Sequence, residues 1–362
     1  MSVDDNIIVA TAERIFADFA NPQDIIHAKN EAWKDTLWQA LTDAGLPLSW
    51  VPEEHGGVGA DLMDGFGILR AAGRWAVAVP LAETMLAGWL LSQAGHAAPQ
   101  GRMTIAPGDP RDQLRLGSDG ALTGRARKVP FAKDADHIAV LASSDRGWMV
   151  ALVAGAQCAI TAGRGLAGDG ADLVNFSGVR PLSVAPAPEG FDPKSLLLMG
   201  GVVRCQQISG ALETMLEISV RYSTERVAFE RTISKYQAVQ HALARLGGEA
   251  AAAVSAAASA ADAFAGALAA QAEQGGGSPE AVFLEAASAK IRCGEAAEKG
   301  TAIAHQIHGA IGFTSEHVLH RMTLRALAWR DDFGTESYWA AELGRLVGHL
   351  GADELWPLVA SR

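Results

Sequence analysis

The chain changes its hydrophobic period twice along its length, and this limits the possible fold more than any single motif does. Residues 1–97 read as helices. "DIIHAKNEAWKDTLWQALTDAG" carries apolar residues at helical spacing and stops at Gly45. "GFGILRAAGRWAVAVPLAETMLAGWLLSQAG" gives two apolar helices broken near Pro80. Between them, "PLSWVPEEHGGVGADLMD" contains Pro47, Pro52 and the Gly56–Gly57 pair, so it reads as an irregular loop. Residues 98–193 switch to short runs such as "DHIAVLAS", "GWMVALVAG" and "LVNFSGV", bounded by Gly and Asp, the pattern of a small β-domain. From residue 194 long helical periodicity returns. One segment runs through "SLLLMGGVVRCQQISGALETMLEISVRYSTERVAF", a second from Ser234 to about Gln274, and a third to about His308, with two shorter helices after it. In the break "EQGGGSPEA", Ser278 can cap the third helix and Pro279 suits its first turn. Few folds place a β-domain between two helical ones. The expected class is α+β multi-domain, divided at 1–97, 98–193 and 194–362.

Bulk chemistry narrows the function. The net charge is −11, which repels phosphate backbones and anionic lipid, so neither nucleic acid nor membrane is an expected partner. A local basic pocket for a phosphate-bearing cofactor stays open. The three cysteines, Cys158, Cys205 and Cys293, are scattered, and read as small apolar residues rather than a disulfide framework. The acidic start "MSVDDNIIVA" lacks the basic stretch of a signal peptide, and the Ala-rich stretch 250–270 reads as too weakly apolar to span a bilayer. A cytoplasmic location is expected.

Three stretches can carry chemistry. In "ERVAFERTISKYQAVQHALARL", residues 225–246, Arg226, Phe229 and Gln237 lie around a break between two helices, where Thr232 or Ser234 can cap the second. An arginine and a glutamine beside a helix start can hold a pyrophosphate through a bidentate guanidinium and free N–H groups. Spacing alone leaves open a surface ion pair for Arg226 and a core place for Phe229. In "HQIHGAIGFTSEH", residues 305–317, Gly309 and Gly312 end a helix and let backbone approach a ligand. His305 and His308 share a helical face there, but no third ligand is near, so no metal site is expected. The third stretch is "WRDDFGTESYW", residues 329–339, where Asp331, Asp332 and Glu336, with Glu342 beyond, read as a solvated acidic face.

In order and in motifs the chain resembles the acyl-CoA dehydrogenases over nearly its full length. "GLPLSWVPEEHGGVG" is similar to that family's Pro-Glu-Glu-x-Gly-Gly-x-Gly loop; Arg226-x-x-Phe229-x-x-x-Ile233-x-x-x-Gln237 and "QIHGAIGFTSEH" are similar to its two later motifs. The resemblance implies an N-terminal helical domain, a middle β-barrel-like domain and a C-terminal four-helix bundle. It also implies FAD, an acyl-CoA substrate that loses a Cα proton and a Cβ hydride, and an electron-transfer flavoprotein as acceptor. In that family one subunit holds the flavin ring and its neighbour grips the ADP half. By resemblance Arg226, Phe229, Gln237, Gln306 and Gly309 form such a grip, and Gly334 and Thr335 keep the shape of the family's catalytic turn.

The departures are selective. Glu230 and Ala310 stand where the family has glycine. The flavin-ring segments correspond to the short "TIAPGDPRD", 104–112, and to Lys128–Pro130, without the family's aromatic wall or hydroxyl. At the two positions where branches of the family place the base, this chain has Phe333 and about Gly200, and Asp332 is the nearest fallback. A chain that keeps the ADP grip and loses the base resembles one subunit of the bacterial α2β2 heterotetramers that act on steroid side chains or other bulky acyl groups. Two other readings stand beside it: a self-sufficient homo-oligomer with a relocated base, and a non-enzymatic structural or CoA-ligand-binding member.

Overall fold

The computed structural model describes residues 6–28, 30–274 and 279–360. Five helices come first: α1 (Ile7–Phe19), α2 (Pro22–Ile26), α3 (Trp33–Asp43), α4 (Leu62–Arg74) and α5 (Leu81–Gln93). Asn6 caps α1 by accepting from the backbone N–H groups of Ile8 and Val9. The helical pattern ending at Gly45 is split into α2 and α3, because Asn30 accepts from the Ala32 N–H at 3.1 Å and turns the chain locally. Gly45 ends α3 at φ +70°. α5 is buried on every side, so it is a core helix, and it brings one charged residue, Glu83, inside.

The middle segment is a mixed sheet of β1 (Met103–Ala106), β2 (Gln113–Leu116), β3 (Leu122–Pro130), β4 (His137–Ser144), β5 (Gly147–Ala154), β6 (Ala159–Thr161), β7 (Ala171–Val179) and β8 (Ser183–Pro186). Pairing runs β6-β7-β3-β2-β4-β5-β8, with β1 parallel to β4. The sheet curls around its own apolar core, including Leu114, Val140 and Phe176.

The remaining helices are α6 (Pro193–Glu225), α7 (Gln237–Gln274), α8 (Pro279–His308), α9 (Leu319–Asp331), α10 (Glu336–Leu350) and α11 (Leu355–Ala360), one more than the pattern suggested. Small buried residues, Ala253, Ala257, Ala260 and Ala261 of α7 with Ala286, Ala289 and Ala297 of α8, let these long helices approach closely. That is how so few aromatics fill the bundle. Between α6 and α7 sits a two-stranded hairpin, β9 (Val227–Ala228) and β10 (Arg231–Thr232). Neither Thr232 nor Ser234 caps α7. Their hydroxyls face each other at 3.1 Å, and the first turn of α7 bonds to the Tyr236 carbonyl instead. The proposed cap Ser278 lies outside the described residues.

Contrary to the reading of 250–270, the stretch Gln237–Ala270 of α7 is long and apolar enough, by length and composition alone, to cross a membrane (mean hydropathy 1.4). In this structure its buried face packs on α6 and α8. Cys205 and Cys293 are buried and Cys158 half-buried, and none forms a disulfide.

Candidate functional site

Two places gather the residues singled out above. The first is the end of the bundle where α6 stops, α7 starts and α8 stops. Arg226 is the C-cap of α6 and accepts at its carbonyl from Ile233 N–H, which closes the hairpin. The Tyr222 hydroxyl donates to the His308 carbonyl at 3.4 Å, tying the end of α6 to the end of α8. Arg226, Phe229, Gln237, Gln306 and Gly309 are therefore all at one end of the bundle, and all are exposed.

Exposure here removes two of the open alternatives. Arg226 makes no ion pair among the described residues, and Phe229 is 92% exposed rather than in the core. The hairpin turn Phe229–Glu230 has φ +51° and +67°. Both central residues of such a turn need the left-handed region, which usually selects Asn-Gly. Glu230 therefore keeps a glycine-like backbone without a glycine. Gly309 has φ +66° and open space around it, so its backbone is accessible. These groups offer a cation, two amides, an aromatic face and free backbone, a donor set suited to a pyrophosphate joined to an adenine.

The second place is a cavity of about 290 Å³ between the sheet and the α9–α10 turn. Its walls include Gly108–Arg111 and Lys128, brought by β1–β3, and Asp332–Thr335. The three sequence segments read as the flavin-ring and catalytic-turn counterparts thus do meet. Gly334 has φ +94°, and the Thr335 hydroxyl caps α10 by accepting from Tyr338 N–H at 3.3 Å.

The Phe333 ring fills the rear of this region. It is 3% exposed, with φ +54°. A Cβ at Gly200 would lie 2.4 Å from the ring, so Gly200 is glycine because Phe333 is there. One aromatic ring therefore takes up the space at both positions read by resemblance as places for a base. Beside it lies a charged cluster that the sequence reading missed. Arg204 donates to Glu83 and to Gln207, both at 2.6 Å, and to Asp332 at 2.9 Å, and its guanidinium sits 5.6 Å from the Phe333 ring centre. Arg204 and Glu83 are 2% and 3% exposed, and Asp332 is 24% exposed. Burial pushes the carboxyls of Glu83 and Asp332 up, against the pull of Arg204. Burial opposes the Arg204 charge too, but its two carboxylate partners hold its pKa above the ordinary value. The signal for this cluster was legible: an arginine that follows the apolar run "LLLMGGVV" inside a helix is almost never buried without partners. The acidic face expected at 331–342 is likewise engaged. Glu336 pairs with Arg330, and Glu342 with Lys194 at 2.9 Å and with Arg345.

Comparison with known proteins bears on both places. Residues 2–103 match the family described as acyl-CoA dehydrogenase, N-terminal domain, and residues 194–343 match acyl-CoA dehydrogenase, C-terminal domain. Acyl-CoA dehydrogenase IpdE2 of Mycobacterium tuberculosis is 28% identical over 300 residues, 83% of this chain and 82% of that protein. Among solved structures, the ChsE4–ChsE5 complex of Mycobacterium tuberculosis superposes with a TM-score of 0.79 at 22% identity, covering 95% of this chain and 97% of that one. A variant of the Tcur3481–Tcur3483 steroid ACAD gives 0.79 at 25% identity, with 94% and 97% covered.

Proposed function

This chain belongs to the acyl-CoA dehydrogenase family, and from that premise we propose that it is the partner subunit of an FAD-dependent, two-chain acyl-CoA dehydrogenase. It completes the ADP half of the cofactor site, while a second, related chain brings the base. The observation that carries this reading is the contrast between the two half-sites. The bundle end is exposed, unpaired and chemically suited to a nucleotide diphosphate. The rear of the cavity is closed by Phe333 and by the Arg204–Glu83–Asp332 cluster.

FAD, when bound, supplies the oxidising ring for α,β-dehydrogenation of the thioester. This chain's residues act at its far end. Arg226 would pair with phosphate oxygens, Phe229 would offer an aromatic face to the adenine, Gln237 and Gln306 would donate and accept through their amides, and Gly309 would admit close backbone contact. In the cavity Gly334 and Thr335 keep the turn, but a phenyl ring cannot take a proton from Cα. The names of two neighbouring structures describe two-chain assemblies and one a steroid enzyme, which supports a heteromer, α2β2 by resemblance, and a bulky acyl group. Under the same reading the location is cytoplasmic, the acceptor is an electron-transfer flavoprotein, and the domains follow the boundaries 1–97, 98–193 and 194–362.

The test is purification alone and after co-expression with a dehydrogenase-like chain that has glutamate before its Gly-Thr turn. The chain alone should be colourless and inactive, and the pair yellow and active. A yellow chain that reduces a dye with acyl-CoA by itself overturns the proposal. A second reading rests on Asp332, which lines the cavity and has its carboxyl pushed up by burial. There Asp332 is the base of a self-sufficient homo-oligomer. Its bond to Arg204 argues against this, and turnover by the lone chain that disappears in Asp332→Asn would establish it.

A further inference from the structure

Beneath Gln306 and Gly309 lies a knot of histidines and aromatics that the reading above leaves unused. The His308 ring stacks on Tyr222 of α6 at 4.4 Å and meets His317 edge-on at 4.9 Å. His305 stacks on Phe313 at 4.0 Å. These rings bracket the turn that carries Gly309 and join three elements: α6, the end of α8 and the start of α9.

Hydrogen bonding and burial favour a neutral form of each ring. His308 Nδ1 lies 2.8 Å from the Ala304 carbonyl, so it carries the proton, and its buried Nε2 has no partner. His305 Nε2 lies 3.1 Å from the Thr323 hydroxyl, and with that hydroxyl's proton directed to the His320 carbonyl at 3.2 Å, Nε2 is the donor. Its Nδ1 is also buried without a partner. His317 Nδ1 accepts from the Leu319 N–H at 3.1 Å, at the first turn of α9, and that bond is lost if the nitrogen takes a proton. Among the described residues, the groups bearing on these rings are one another, His320 of α9 and Arg221 of α6. No carboxylate is among them to stabilise a cation.

We propose that His305, His308 and His317 are positioning residues that hold the Gln306–Gly309 segment in place only while all three are neutral, so that acidification loosens this chain's hold on an adenine dinucleotide. The inference rests on the ADP-grip reading. Its direction follows from linkage. Burial first holds all three rings below the ordinary imidazole value; for His305 and His317 the neighbouring imidazoles disfavour an added charge as well, and for His317 so does Arg221. Unfolded rings take up protons near pH 6.5, while the folded rings do so only at lower pH, so the segment loses stability as pH falls below about 6.5.

Two measurements test this. Histidine 15N–1H spectra of the full chain should show His305 as Nε2–H, His308 as Nδ1–H and His317 as Nε2–H at pH 7.5, all persisting below pH 6.5. FAD release from the co-expressed complex, followed by flavin fluorescence, should track the His317 titration. His317→Gln, which can still accept from Leu319 N–H but cannot titrate, should move half-release roughly one pH unit lower. His317→Ala should weaken retention at every pH. An ordinary titration of His317, or release from His317→Gln over the wild-type range, overturns the proposal. If Arg226→Ala leaves FAD retention unchanged at pH 7.5, the ADP-grip reading fails instead, and the spectra still decide whether the knot is neutral.

Discussion

The end of the bundle and the interdomain cavity invite comparison because both bear a left-handed phenylalanine. Phe229 has φ +51° and is 92% exposed; Phe333 has φ +54° and is 3% exposed. Such a backbone costs a non-glycine residue of order 1–3 kcal/mol, so each must be held by its surroundings. Phe333 is held by this chain itself, through Gly200, Arg204 and the Trp339 indole that donates to its carbonyl at 3.0 Å. Phe229 sits in the turn of the hairpin, and among the described residues nothing covers its ring. One phenylalanine completes a core and the other stands exposed. The chain packs closely around the one ring and leaves the other open.

That contrast can be broken by mutation, starting with the largest effect. Arg204→Met strands Glu83 and Asp332 and should destabilise the chain by about 3–5 kcal/mol in urea unfolding. Arg204→Lys should not rescue it, because the ammonium cannot meet three partners with one planar fork. Phe333→Ala should cost about 3 kcal/mol in the same measurement, as a buried aromatic lost from a packed core. If either change is tolerated, the cavity end is not the self-completed core described above.

At the open end the same chemistry should leave stability alone and change binding. Arg226→Ala should shift the unfolding free energy by no more than about 0.5 kcal/mol. In the two-chain complex it should weaken FAD by roughly 10- to 100-fold, the scale of a lost charge-assisted contact. Equilibrium dialysis of flavin checks this, and equal affinity would remove Arg226 from the site. The smallest effect is expected at the hairpin tip. Glu230→Gly should stabilise by less than about 1 kcal/mol, since glycine relieves the left-handed strain but has more freedom to lose on folding. A loss of stability would mean that the Glu230 side chain has a role the structure does not show.

Much of this is legible in the sequence. The change from period 3.6 to period 2 and back marks the helical and sheet segments, because apolar residues must follow the geometry of the face they bury. The motif around Arg226 marks the bundle end, because local turns and helix ends are set by nearby residues. Capping was less legible. Thr232 and Ser234 have the right chemistry for a cap, but the hairpin turns their hydroxyls toward each other. The break between α2 and α3 was hidden because helical spacing continues through it.

By itself, the sequence determined that Phe333 is not a base, that the three family motifs occur in order, and that the chain is helical, then sheet, then helical. These are properties of residue type and spacing. Tertiary structure alone decided that Phe333 rests on Gly200, residues 133 positions apart along the chain, and that Arg204 draws Glu83 and Asp332 into one buried cluster. It also decided that Phe229 stands in the open. Partners so distant in sequence leave no periodic trace, and whether a ring is buried depends on what the rest of the chain brings against it.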